Sequence, residues 1–478
     1  MDLLDKLTPA QKSELLTKLN DPEDLIENLT DLGSMRRFIR QTGGDLYFLH
    51  ERGKWIKFNG RYWKIDNSAK AAYKCVENMI RGMYREAAEM ADKKDRESLA
   101  DHARKNEAEG KIRAILNLAK PPLSISIDDL DRDPWKVNCL NGTIDLRTGE
   151  LHPHDKGDFI SKIMPVVYDP GAECGAWLDF LDLIMGGDVE MLIFLQRAIG
   201  YSLTGLTDER CLFILHGQGR NGKSTFTENI AYLMRDYAMK TPAETLLQKK
   251  HGDGIPSDIA RLKGARFVYA SETGQGRTLN ESRIKELTGD KDTLVGRFLH
   301  REWFEFIPAF KLWLHTNHKP TIRGADQAIW DRIRLVPFEV RIPDDKVRPR
   351  REIDALLEAE RPGILAWAVQ GCLDWQMDGL PTPEAVKRGT ETYREESDIL
   401  QDFLEEVCTV DSGAKVSKTD LFEAYSGWSK SSGERYHLGK KAFSQALLQR
   451  GFDEFRETSG GRKSYWMGIG LPQQEGEL

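Results

Sequence analysis

Three things are scarce in this chain, and each scarcity removes a class of protein. No apolar run approaches the ~18 residues of a membrane-spanning helix, so no membrane partner is expected. Cysteine is thin: six residues, at 75, 139, 174, 211, 372 and 408, form no Cys-x-x-Cys pair. Neither a zinc site nor a disulfide framework is indicated, which fits a reducing cytosol. Positive charge is in deficit, with a formal net charge of −7, so no global basic field draws nucleic acid. Any such contact has to be local. Residues 283–334 carry ten Lys/Arg against seven Asp/Glu, and residues 415–465 carry ten against six. Ordinary solvated faces often look the same. The start, Met1-Asp2-Leu3-Leu4-Asp5-Lys6, also lacks the basic opening of a signal peptide, so a cytoplasmic location is expected.

What is present is the composition of a folded protein, 40% apolar and 30% charged over 478 residues, enough for two to four domains. Its sharpest feature is Gly217-Gln218-Gly219-Arg220-Asn221-Gly222-Lys223-Ser224, a complete Gly-x-x-x-x-Gly-Lys-Ser loop. The apolar run Cys211-Leu212-Phe213-Ile214-Leu215 precedes it, and a stretch able to continue as a helix follows from Thr225. Strand, loop and helix in that order are the context a phosphate-binding loop requires. Gly217, Gly219 and Gly222 let backbone N–H groups, with those of Asn221 and Thr225, curl around phosphates at a helix N-terminus. Lys223 is expected to reach the β- and γ-phosphates, and the Ser224 hydroxyl to hold Mg²⁺. The expected ligand is a nucleoside triphosphate.

Around this loop the chain divides into four parts. Residues 1–170 read as an α+β accessory domain: helical at 1–30, aromatic strands with an Asn59-Gly60 hairpin turn at 46–66, two helices at 69–118, and strands near 135–151. Residues 175–345 alternate helix and strand signals as an α/β nucleotide-binding domain does, with strands expected at 211–215, 266–270, 311–315 and 333–337. Residues 346–395 form a helical extension and linker. Residues 396–478 follow the order helix, helix, helix, basic hairpin, which resembles a winged helix.

Three further positions narrow the chemistry. The strand Arg266-Phe267-Val268-Tyr269-Ala270 ends in Ser271-Glu272, and a carboxylate there suits holding Mg²⁺ and orienting an attacking water. The strand Lys311-Leu312-Trp313-Leu314-His315 ends in Thr316-Asn317, whose neutral amide suits contact with a γ-phosphate. Arg332 and Arg334, in Trp330-Asp331-Arg332-Ile333-Arg334, are placed to reach a neighbouring subunit's phosphates more easily than their own. An arginine finger of that kind is worth about 10³ to 10⁵ in rate.

Together with Lys285-Glu286-Leu287-Thr288-Gly289-Asp290, this set resembles a superfamily 3 helicase, an AAA+-like P-loop NTPase, and is most similar to the poxvirus-type and phage/plasmid primase–helicases. The resemblance implies a ring, usually a hexamer, with Mg²⁺-ATP between subunits, and a β-hairpin gripping single-stranded DNA. It assigns Lys223 and Ser224 to the nucleotide, Glu272 to water activation, Asn317 to the γ-phosphate and Arg332, in preference to Arg334, to action in trans. Relatives often carry two acids at the strand tip. Here the pair is Ser271-Glu272, so Glu272 serves both metal and water or Ser271 assists. The hairpin is expected between residues 293 and 308, with its tip at His300-Arg301 and with Lys285, Lys291 and Arg297 as further contacts. An Asp-x-Asp at Asp129-Leu130-Asp131 superficially fits a primase, but the chain reads as the helicase half without priming chemistry.

The implied activity is ATP-dependent translocation and unwinding in replication of a phage, plasmid or related element, in the host cytoplasm if phage-encoded. Partners would be single-stranded and forked DNA, further copies of the chain, and a separate primase or polymerase. Three alternatives stay open: a bifunctional primase–helicase, an origin-binding initiator whose ATPase governs assembly, and a monomeric P-loop kinase.

Overall fold

The computed structural model describes residues 28–248, 257–271, 277–289, 292–298, 302–322, 326–397, 399–431, 438–456 and 464–472. The helix expected at the start thus falls largely outside the described residues, and the first helix, α1, is Asp31–Thr42.

Aromatic strands build the first body. Strands β1 (Leu46–Leu49), β2 (Lys54–Phe58) and β3 (Trp63–Asp66) form an antiparallel sheet. The turn between β2 and β3 follows from its residues. Asn59 Oδ1 accepts the N–H groups of Arg61 and Tyr62 at 2.9 and 3.0 Å, and Gly60 takes φ +92°. Helices α2 (Lys70–Glu89), α3 (Lys93–Asn106) and α4 (Glu109–Ala119) share one apolar core with the sheet. Three helices stand where two were expected, because Asp92 starts a new one by accepting the N–H of Asp95 at 2.9 Å. A two-residue β4 (Ser124–Ile125) adds to β1 in parallel. Trp63 and Phe159 stack at 5.4 Å in the middle of this core.

The second body is organised by a five-stranded, all-parallel sheet in the order β14-β8-β13-β10-β9. Its strands are β8 (Leu212–His216), β9 (Ala238–Lys240), β10 (Phe267–Ser271), β13 (Lys311–Thr316) and β14 (Ile333–Pro337). The four expected strands are all here. Their continuous apolar runs fit strands covered on both faces, and Phe213 and Trp313 stack at 4.2 Å across neighbouring strands. The short β9 escapes the sequence signal because Ala238-Met239-Lys240 is too brief to show a period. Helix α7 (Lys223–Met234) follows β8.

The boundary expected near residue 170 runs through the largest core rather than beside it. A small antiparallel sheet, β5 (Lys136–Cys139), β6 (Gly142–Asp145) and β7 (Glu150–His152), places Val137, Ile144 and Leu146 in one apolar cluster with helices α5 (Gly175–Met185) and α6 (Val189–Leu203). Buried cations tie the same junction. Arg266 donates to the carbonyls of Leu203 (2.7 Å), Lys136 (2.9 Å) and Asp133 (3.1 Å), and Lys311 to those of Thr204 and Leu206. Burial pushes both cations below their ordinary pKa. Of the helices between 346 and 395, α12 (Arg361–Asp378) belongs to that cluster too. It crosses α6 so closely that a Cβ on Gly200 would lie 2.1 Å from Cys372 N. The helix before it is α11 (Arg350–Ala359), and α13 (Glu384–Glu396) follows.

The last body runs α14 (Ile399–Val407), β15 (Thr409–Ser417), α15 (Lys418–Ser431), α16 (Lys440–Gln449), β16 (Asp453–Arg456) and β17 (Ser464–Gly470). Its antiparallel sheet has the order β15-β17-β16 around the buried Trp466. The three helices and the hairpin were expected; β15 was not, because Asp411-Ser412-Gly413 interrupts it at a register shift between Val410 and Lys415. No helix among the described residues is long and apolar enough to cross a membrane.

Candidate nucleotide site and hairpin

Parallel strands deliver their C-terminal ends to one edge, and the chain uses that edge. β8 stops at His216 and α7 starts at Lys223, so residues 217–222 must turn back tightly. Two glycines make this possible. A Cβ on Gly217 would lie 2.2 Å from Phe338 O and 2.3 Å from Asn221 Nδ2, and Gly222 has φ +83° with Ile184 Cγ2 2.6 Å from where a Cβ would sit. Gly219 faces open space. Buried Asn221 closes the loop by donating to Phe338 O at 2.9 Å and Gln218 O at 3.3 Å.

Lys223 folds back into this loop. Its Nζ donates to Gly217 O at 2.5 Å and Asn221 Oδ1 at 3.0 Å, and burial pushes the ammonium down to about 8. Helix α7 has no side-chain cap, so its first-turn N–H groups are the donors an anion would use. Ser224 is exposed on that first turn and Thr225 is partly so. A loop closed by glycines, a buried lysine and an uncapped helix start fit a phosphate group.

Register places the other candidates. Thr316 stands beside His216, so Asn317 leaves β13 at the level where Gly217 leaves β8. Asn317 is exposed. Ser271 ends β10 beside His315, while Glu272, the carboxylate expected to activate water and hold the metal, lies outside the described residues. Arg332 is at the opposite edge: its carbonyl accepts Leu212 N at 2.7 Å, where β8 begins. Five residues at ~3.3 Å each separate that level from Gly217, on the order of 16 Å. Arg332 is held there by Thr288 Oγ1 (3.2 Å from Nε) and Ala328 O (2.6 Å from Nη1), so the Lys285–Asp290 motif braces an arginine. Arg334 points back to the carbonyls of Asp331 (2.7 Å) and Ile333 (3.2 Å).

Sequence reasoning missed two features of this edge. The segment after β14 straps the loop: Phe338 N donates to His216 O (2.7 Å), Ile342 N to Arg220 O (2.9 Å), and Arg220 pairs with Asp344 at 3.0 Å. His315, two residues before Asn317, is held below the ordinary histidine range by burial, and its Nδ1 has no hydrogen-bond partner among the described residues. Only the position of His315 at a strand end hinted at it.

The hairpin exists between β11 (Leu294–Arg297) and β12 (Trp303–Phe306), with Arg297 paired to Trp303. One face is buried through Leu294 and Phe306; on the other, Arg297 lies 5.4 Å from the ring of Trp303, which is 55% exposed. Arg52, from the β1–β2 turn, lies 5.9 Å from the Phe298 ring at the far end. Lys291, His300 and Arg301 lie outside the described residues, and Lys285 is paired with Asp326.

The Asp129-x-Asp131 pair is committed to structure. Asp129 closes a capping box with Ser126 and pairs with Arg132 at 2.6 Å. Asp131 accepts from Ser161 N (2.8 Å), Ser161 Oγ (2.5 Å) and Lys162 Nζ (2.7 Å). Burial alone would raise its pKa, but Lys162 and Ser161 hold it below the usual value.

Comparison with known proteins now bears on this arrangement. Residues 35–186 match the family described as "D5 N terminal like", and residues 395–459 match "Poxvirus D5 protein-like". Residues 215–332, from the end of β8 through the glycine loop to Arg332, match a family of unknown function. A protein of Acanthamoeba polyphaga mimivirus named "Putative helicase" is 26% identical over 344 residues, 67% of this chain and 35% of that one. Near both ends the chain is thus similar to D5-type proteins, and homologues of large DNA viruses carry helicase or primase names. Another "Putative helicase", from Frog virus 3, is 29% identical over 49% of this chain and 26% of its own length. A "Putative primase" of African swine fever virus is 25% identical over 63% of this chain and 34% of its own. The chain thus spans about a third or less of these relatives. Among solved structures it is similar to the apo structure of the NrS-1 C terminal region, with TM-score 0.51, 10% identity and coverage of 91% of this chain and 99% of that one. At that identity the likeness speaks to the fold alone.

Proposed function

We propose that this chain is the ATP-hydrolysing motor of a replicative DNA helicase, a superfamily 3 P-loop core with a winged-helix C-terminal body. One observation carries the reading. The glycine loop with Lys223 and the Asn317 turn share one edge of the sheet, while Arg332 is braced at the other. An arginine whose backbone leaves the sheet about 16 Å along the strands from the loop, and whose guanidinium is tied to Thr288 and Ala328, suits a neighbour's site better than its own, which makes a ring the natural assembly.

Gly217, Gly219, Asn221, Gly222, Lys223, Ser224 and Thr225 would hold the phosphates of ATP, with Ser224 and Glu272 holding Mg²⁺. The bound metal would neutralise phosphate charge. Glu272 would take the proton of the attacking water, Asn317 would orient the γ-phosphate, and Arg332 of an adjacent copy would stabilise charge developing at the bond being cleaved. The hairpin, with Arg297 and the tip His300-Arg301, would follow single-stranded DNA through phosphate contacts. Primer synthesis, which the name of the African swine fever virus relative raises, finds Asp129 and Asp131 already engaged.

Lys223→Ala is expected to abolish ATP hydrolysis. His300→Ala with Arg301→Ala is expected to keep DNA-independent hydrolysis but lose unwinding of a forked duplex. Unchanged hydrolysis in Lys223→Ala overturns the motor reading; equal loss of both activities in the double variant overturns the hairpin's role.

A further inference from the structure

Asn317 stands on a turn fixed from outside the sheet. Thr316 Oγ1 accepts the N–H of His318 at 3.0 Å and donates to His318 O at 2.6 Å, which draws residues 316–318 together beneath Asn317. Immediately after, Lys319 Nζ pairs with Glu396 Oε2 at 2.7 Å and lies 5.7 Å from the Tyr393 ring centroid. The buried Tyr393 hydroxyl donates to Pro320 O. Tyr393 and Glu396 are three residues apart in the last turn of α13, so they share a face.

Helix α13 is itself anchored. It packs along β14, where Leu335 N donates to Thr390 Oγ1 at 3.2 Å, and the Tyr393 ring meets Trp330 edge-on at 5.3 Å. The turn bearing Asn317 therefore has two struts to a rigid helix, one uncharged and one ionic, at the residues directly behind it. Neither strut touches the phosphate loop's closing contacts, which run to Phe338 and Ile342.

We propose that Tyr393 and Glu396 are positioning residues for Asn317, holding its amide where the γ-phosphate is read. This rests on the proposed ATPase function and deepens it. An amide that contributes only when aligned loses its effect with a small displacement, whereas nucleotide affinity comes mainly from the loop. Removing either strut therefore lowers turnover and spares binding.

The test uses the full chain with Tyr393→Phe and Glu396→Gln, each of which keeps the size of its side chain. Steady-state ATP turnover is expected to show kcat lower by roughly 10- to 100-fold with KM nearly unchanged. In an Asn317→Ala background, neither substitution is expected to lower the residual turnover further, because both act through the missing amide. Full kcat in both variants overturns the proposal, as does an undiminished effect in the Asn317→Ala background, or a KM increase with kcat intact. Lys223→Ala separates the two levels. If it too hydrolyses ATP normally, the ATPase reading has failed. If it is inactive while the strut variants turn over normally, only the positioning role has failed.

Discussion

Lys223 sits in a poor environment for a cation. Its two oxygen partners are a backbone carbonyl and an amide, and the lost hydration pushes its pKa to about 8 from 10.5. The sign of the consequence is fixed. Below pH 8 the ammonium is charged and ready for phosphate; above it, a growing fraction is neutral and binding must take up a proton. Affinity for Mg²⁺-ATP is expected to weaken roughly tenfold per pH unit above 8, measured by fluorescence titration from pH 7 to 10. Lys223→Arg, if it binds, should flatten the profile. A wild-type profile flat to pH 10 would refute the argument. Stability moves oppositely: between pH 8 and 10.5 the unfolded chain holds more protons than the folded one at this group, so its contribution rises with pH. The loop itself was legible because eight consecutive residues specify it. Asp129 and Asp131 show the limit at this scale. Their spacing superficially fits a primase, but their roles are set by Arg132, Ser161 and Lys162, the last 31 residues from Asp131.

Elements were legible where one local signal dominates. Each of the four longer parallel strands is an apolar run, and Asn59-Gly60 makes its own turn. The site's supports were not, because they join residues far apart in sequence. Tyr393 reaches Pro320, Phe338 closes the loop at Asn221, and residues 137–168 enter a core that composition assigns elsewhere. Helix α5 is the clearest case. Its own N-cap, Cys174, makes no side-chain bond, and Glu360 supplies it instead, accepting Ala176 N and Trp177 N at 2.9 Å each. A carboxylate at a helix N-terminus also meets the positive end of its dipole. Glu360→Ala is expected to destabilise the protein by about 1 kcal/mol, seen as a lower urea midpoint at unchanged slope. Because α5 places Ile184 against Gly222, nucleotide affinity should fall with it. An unaltered midpoint would show that water caps the helix equally well.

For the whole molecule the question is whether one chain can hydrolyse ATP alone, and Arg332 makes it answerable. In its own chain the guanidinium is tied to Thr288 and Ala328 at the far edge of the sheet from Lys223. Acting in trans, it needs a head-to-tail interface, the kind that closes into rings. Lys223→Ala and Arg332→Ala should each be inactive as pure proteins, for different reasons. A Lys223→Ala copy keeps its arginine and an Arg332→Ala copy keeps its loop, so an interface joining the two in the right order is intact. In a 1:1 mixture with random assembly, half the loops are sound and half of those face a sound arginine, so about a quarter of wild-type turnover should return. Recovery should also depend on total concentration, since dilution separates the copies. If Arg332 acts within its own chain, every copy in the mixture lacks one member of the pair and turnover stays at zero at any concentration.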